Sequence, residues 1–122
     1  MDDTRKKILV ADDDPAILEV ITFMLEDAGY EVVTTVGGDT EKCVQESKPD
    51  LLLLDIWMSG MDGRNICKNL KSRKATMHMP IIMISANKDT KKIAKEVGAN
   101  DFISKPFEMK TLLSLVKKYT SS

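Results

Sequence analysis

No apolar run in these 122 residues approaches the length of a bilayer-spanning helix, so nothing in the sequence points to a membrane protein. Cysteine is scarce: Cys43 and Cys67 are the only two, and their spacing matches no zinc or redox motif. Two thiols in a reducing compartment are expected, rather than a disulfide. There is one histidine, His78, beside Pro80 in a polar stretch, where a surface role is expected. Charge of one sign is also missing. A formal net charge of −1 supplies no general electrostatic pull toward nucleic acid or an anionic membrane. The polar opening Met1 to Lys7 carries no signal-peptide pattern and is expected to be a solvated lead-in to a cytoplasmic protein.

What is present is ordinary for a globular domain: 43% hydrophobic and 30% charged residues. The length suits one domain with one core, so residues 1–122 are expected to form a single unit. No linker, low-complexity segment or charge block divides them.

Short apolar runs alternate with longer amphipathic ones, five times over. Lys7–Ala11, Glu31–Thr35, Leu51–Asp55, Pro80–Ser85 and Asp101–Ser104 read as strands. Leu51-Leu52-Leu53-Leu54 is apolar at every position, as in a parallel strand covered on both faces. Asp14-Pro15 supplies an N-cap and a first-turn proline, and Ile17, Ile21, Met24, Leu25 and Ala28 then recur at helical spacing up to Gly29. Further helices are expected near Thr40–Ser47, ended by Lys48-Pro49, around Ile66 and Leu70, around Ile93, Ala94 and Val97, and from Met109 through Val116. Ser59-Gly60-Met61-Asp62-Gly63 reads as a loop. The pattern is α/β, (βα)5, a doubly wound parallel sheet with helices on both faces. The flavodoxin-like strand order 2-1-3-4-5 sets the first strand beside the third.

In such sheets ligands bind beyond the carboxyl ends of the strands. Asp12 and Asp13 follow the first strand, Asp55 ends the third, Ser85 the fourth, and Lys105 follows the fifth. Two unit charges about 4 Å apart repel by about 4 kcal/mol at an effective dielectric of about 20. Three converging carboxylates therefore call for a proton or a cation. A donor set with oxygen alone favours Mg²⁺, Mn²⁺ or Ca²⁺ over zinc. Asp14 suits a cap; Asp12 and Asp13 exceed what one cap needs. Asp55 sits where a strand-end carboxylate can act as a nucleophile toward phosphorus. Lys105 precedes Pro106, which restricts its backbone and aims the ammonium.

Taken together, Ile8-Leu9-Val10-Ala11-Asp12-Asp13-Asp14, Leu54-Asp55-Ile56-Trp57-Met58, Met61-Asp62-Gly63, Ile84-Ser85-Ala86 and Lys105-Pro106-Phe107 resemble the receiver domain of two-component response regulators. The resemblance spans essentially the whole chain. It implies a phosphoacceptor switch: a sensor histidine kinase or histidine phosphotransfer protein donates a phosphoryl group to Asp55. Asp12, Asp13, Asp55 and the backbone carbonyl of Trp57 would hold Mg²⁺, with Mn²⁺ an acceptable replacement. Lys105 would pair with the phosphoryl group. Ser85 occupies the hydroxyl switch position and Phe102 the aromatic one, and together they would remodel the surface of the fourth helix, fifth strand and fifth helix. The expected target is a partner protein or an output region outside these residues. Neither direct nucleic-acid binding nor membrane binding is expected.

Three positions depart from the family pattern. Ser59 stands where proline is usual, so a less rigid loop is expected. Phe102 lacks the hydroxyl of the tyrosine often found there. Trp57 is bulky at a position that, with Asn87, tunes dephosphorylation, and it is expected to shield the phosphoryl group from water and lengthen its life. Three other functions use related parts. A haloacid dehalogenase-type phosphatase wants a second acid where Trp57 stands. A flavodoxin cradles a phosphate where three acids lie here. A receiver-like interaction module that is never phosphorylated would not need the acid pair, Asp55, Ser85 and Lys105 intact.

Overall fold

The computed structural model describes residues 5–58 and 60–121. The expectations for the first residues and for Ser59 fall outside them. Five strands form one parallel sheet: β1 (Lys7–Ala11), β2 (Glu31–Thr35), β3 (Leu51–Asp55), β4 (Ile81–Ser85) and β5 (Asp101–Ser104). The spatial order is β2-β1-β3-β4-β5, as the alternating pattern predicts. Helices α1 (Pro15–Asp27), α2 (Thr40–Ser47), α3 (Gly63–Lys71), α4 (Thr90–Val97) and α5 (Met109–Thr120) fill the connections.

Burial explains the strand compositions. β3 and β4 lie inside the sheet and are buried at every residue, whereas the edge strands β2 and β5 are only partly covered. Period-two alternation divides the strand side chains between two faces. Leu9, Leu52, Leu54 and Met83 pack with Val44, Ile66, Leu70, Ala94 and Val97 of α2, α3 and α4. Ile8, Val10, Leu51, Leu53, Ile82 and Ile84 pack on the other face with Leu18, Ile21 and Leu25 of α1 and Leu112 and Val116 of α5. Burying each such aliphatic side chain contributes about 1.5–3 kcal/mol.

Local chemistry sets the helix ends. The Asp14 carboxylate accepts the Ala16 N–H at 3.0 Å, with Pro15 in the first turn. At the other end of α1, Gly29 has φ +96°. Its N–H reaches Glu26 O, and the Tyr30 N–H reaches Leu25 O, a Schellman closure that needs a left-handed residue. Gly98 closes α4 in the same way, its φ at +82°.

The stretch after β3 is more ordered than a loop. Trp57–Met58 pairs antiparallel with Met61–Asp62, Trp57 opposite Asp62. Asp62 then caps α3, its carboxylate accepting the Arg64 N–H at 2.9 Å. A two-residue ladder offers too little periodicity to register in sequence. Cys43 and Cys67 are both free thiols, and His78 is exposed. Among the described residues, no helix is long and apolar enough to cross a membrane.

Candidate functional site

The parallel ladders run one residue past the strand ends and thereby build the site. The Asp12 N–H bonds Thr35 O at 3.1 Å, the Ile56 N–H bonds Ile84 O at 3.0 Å, and the Lys105 N–H bonds Ser85 O at 2.9 Å. Asp55 lies opposite Ile84, and Ala11 lies opposite Leu54, so Asp12 emerges beside Asp55. Residues far apart in sequence are thus held at one edge by backbone hydrogen bonds rather than by flexible side chains.

Carboxylate oxygens of Asp12, Asp13 and Asp55 lie within 4.8 Å of one another. Asp12 and Asp55 are buried, while Asp13 is more open. One Asp12 oxygen accepts the Asp14 N–H at 2.9 Å. The other receives the Lys105 Nζ at 2.9 Å, and the same ammonium stands 3.5 Å from Asp55 Oδ2. In this arrangement Lys105 therefore leans on Asp12 more closely than on Asp55. The bond from Lys105 to Pro106 is cis.

The electrostatics follow from burial and crowding. Burial pushes the Asp55 carboxyl up to about 6, and the Asp12 charge adds to the push, Asp13 contributing less. Lys105 and a hydrogen bond from the Trp57 backbone oppose the rise without cancelling it. Burial works against the Lys105 ammonium. The Asp12 hydrogen bond and the charges of Asp55 and Asp12 outweigh it and hold the group above the ordinary lysine value. The cluster carries more negative charge than its lysine neutralises, and every donor in it is oxygen. That donor set fits a hard divalent cation.

Ser85 is buried at the end of β4, where its Oγ accepts the Asn87 N–H at 3.0 Å. Phe102 is not at the cluster. It lies within β5 opposite Met83, half-buried against the α2–α4 face. Trp57 is joined to the cluster through its backbone, and the residue is 46% exposed.

Two residues have a structural hold on the site that the sequence reading did not assign to them. A Cβ on Gly63 would stand 2.6 Å from Asp55 O and 2.8 Å from Ile56 Cα, so only glycine lets α3 start against the backbone that carries Asp55. The Gly63 N–H also bonds Ile56 O at 2.7 Å. Arg64 stacks on the Trp57 ring, its Cζ 4.6 Å from the centroid. The sequence reading puts Asp62 in a loop, although an aspartate four residues before the apolar Ile66 could have marked this cap; the reach of Arg64 back to Trp57 had no signal.

The profile of the response regulator receiver domain matches residues 8–117. The DNA-binding response regulator MtrA of Mycolicibacterium smegmatis is 39% identical over 122 residues, an alignment covering 96% of this chain and 51% of MtrA. Among solved structures, a putative response regulator from Chloroflexus aurantiacus superposes with a TM-score of 0.90 at 32% identity, covering 95% of this chain and 98% of that one. The chemotaxis response regulator CheY4 of Vibrio cholerae gives 0.88 at 30% identity, covering 95% and 99%. The chain belongs to the receiver domain family of response regulators, the phosphoacceptor switch domains of two-component signalling. It spans about half the length of the curated relatives it matches.

Proposed function

We propose that Asp55 is the phosphoacceptor of this receiver domain, and that residues 1–122 act as one switch unit. The observation that carries the proposal is the cluster itself: three carboxylates within 4.8 Å, with Lys105 bridging Asp12 and Asp55. A carboxylate oxygen of Asp55 attacks the phosphorus of a phosphohistidine on a sensor kinase or phosphotransfer protein. The new P–O bond forms as the P–N bond breaks, and the leaving imidazole takes up a proton. Positioning and charge neutralisation supply most of the rate in such transfers.

Asp12, Asp13, Asp55 and the Trp57 carbonyl are the residues that would hold Mg²⁺, or Mn²⁺ in its place. The ion supplies neutralisation of charge on the phosphoryl oxygens. Lys105, already poised between two carboxylates, moves its hydrogen bonds to the phosphoryl group as charge arrives there. Ser85 offers its hydroxyl to a phosphoryl oxygen, and Phe102 follows by turning further into the core. The altered surface of α4, β5 and α5 then signals to a partner protein, or to an output region outside these residues. The domain assists its own phosphorylation and dephosphorylation but is not an enzyme acting on other substrates, and it makes no direct contact with nucleic acid or membrane.

Intact-mass measurement after incubation with acetyl phosphate and Mg²⁺ tests this. Wild type is expected to gain one phosphoryl group, and neither Asp55→Ala nor wild type in EDTA should do so. No gain by wild type would instead favour an interaction module that works unphosphorylated. Rapid turnover of unrelated phosphate esters would favour a phosphatase.

A further inference from the structure

The short ladder after β3 closes a ring of contacts that the proposed chemistry does not use. Trp57 lies opposite Asp62 in that ladder. The Asp62 carboxylate grips the Arg64 side chain through Nε at 3.0 and 3.1 Å and through Nη2 at 2.7 Å, a two-point fork. The guanidinium then lies over the Trp57 indole, 4.6 Å from Cζ to the ring centroid. A cation on an aromatic face is attractive, and the planar fork leaves Arg64 little freedom. The ring so held belongs to the residue whose own N–H bonds Asp55.

We propose that Arg64 is a positioning residue for phosphoryl hydrolysis: anchored by Asp62, it holds the indole of Trp57, two residues after Asp55, in one orientation, and the fixed ring slows the approach of water to the acceptor. The proposal rests on Asp55 as phosphoacceptor. In the hydrolysis, a water oxygen bonds to phosphorus and the bond from phosphorus to the Asp55 oxygen breaks. Asp55 leaves as a carboxylate, and the proton lost by water goes to solvent with inorganic phosphate. Arg64 touches none of these atoms and acts only through the ring.

The test loads wild type, Arg64→Ala, Arg64→Lys, Trp57→Ala and the Arg64→Ala/Trp57→Ala double variant with acetyl phosphate and Mg²⁺. After desalting, loss of the phosphoryl group is followed by intact mass. Arg64→Ala is expected to decay several-fold faster than wild type, approaching Trp57→Ala, and the double variant should be no faster than Trp57→Ala alone. Arg64→Lys, which keeps the charge but loses the planar fork, should also decay faster than wild type. Because Trp57 is the only tryptophan, its fluorescence gives a second readout: in Arg64→Ala, iodide quenching should rise while the melting temperature stays close to wild type. Decay of Arg64→Ala at or below the wild-type rate, or effects that multiply in the double variant, would overturn the proposal. So would wild-type decay in Arg64→Lys, which would assign the effect to charge alone. If wild type takes up no phosphoryl group, the assignment of Asp55 fails first. The quenching arm then judges the latch by itself, and unchanged quenching in Arg64→Ala rejects it.

Discussion

At the scale of single residues, the cluster stores an electrostatic conflict. The Asp55 carboxyl is raised from 3.8 to about 6, with burial the main cause and Asp12 the next. The folded state therefore holds a proton more tightly than the unfolded chain does. Without metal, stability from this group is full below about pH 4, falls as pH rises toward 6, and is flat above. The span corresponds to on the order of 3 kcal/mol. Asp55→Asn removes the charge and keeps the shape. In urea denaturation with EDTA at pH 7.5 it is expected to be about 1–3 kcal/mol more stable than wild type, the difference vanishing near pH 4. A variant no more stable than wild type at pH 7.5 would contradict this assignment of strain. Lys105 has the opposite sign: its removal leaves the fully buried Asp12 without its cation. Lys105→Met is expected to cost on the order of 3 kcal/mol in EDTA. Millimolar Mg²⁺ should recover more stability in this variant than in wild type, and equal recovery would argue against a shared charge balance.

At the scale of elements, the junction between β3 and α3 is where packing and chemistry meet. Asp62 caps the helix and Gly63 lets its first turn touch the backbone of Asp55 and Ile56. Gly63→Ala places a methyl group 2.6 Å from a carbonyl oxygen, so the strand end or the helix must shift. Overpacking of this kind costs about 1–3 kcal/mol. On the proposed role of Asp55, displacing it matters more than the stability loss, because misplacement on the order of 1 Å slows a positioned reaction by about a hundredfold. Phosphoryl uptake from acetyl phosphate, timed by intact mass, is expected to fall at least about tenfold in a variant that still melts cooperatively. Uptake at the wild-type rate would mean that the close approach matters to folding alone.

At the scale of the whole molecule, β4 ends at the cluster and pairs with β5, the strand that carries Phe102, which is the route the proposed switch would use. Ser85 ends β4 at the site, and Phe102 lies opposite Met83 in the same pair of strands. On the proposed assignment, a phosphoryl group on Asp55 would add charge beside Ser85 and bias the neighbouring surface that contains Phe102. Hydrogen exchange of the phosphorylated chain is expected to change across α4, β5 and α5. Ser85→Ala should accept the phosphoryl group yet show a much smaller change. An unchanged exchange pattern in phosphorylated Ser85→Ala relative to phosphorylated wild type would remove Ser85 from the switch.

Much of this was legible in the sequence because it depends on local periodicity. Leu51-Leu52-Leu53-Leu54 declared a strand covered on both faces, and Asp14-Pro15 and Gly29 marked the ends of α1, since caps and burial act within a few residues. The meeting of Asp12, Asp13 and Asp55 was also foreseeable, because a doubly wound sheet of this order brings those strand ends together. Other features depended on distance in three dimensions. Lys105 bonds Asp12 more closely than Asp55, and Phe102 stands away from the cluster, because side-chain reach is set by packing. Gly63 is required by a backbone contact that no spacing announces. The Arg64 stack on Trp57 arises only once a two-residue ladder has folded Asp62 back against Trp57. Residue order alone sets which groups stand at the strand ends, whereas which of them touch follows from register, burial and the close approach of one backbone to another.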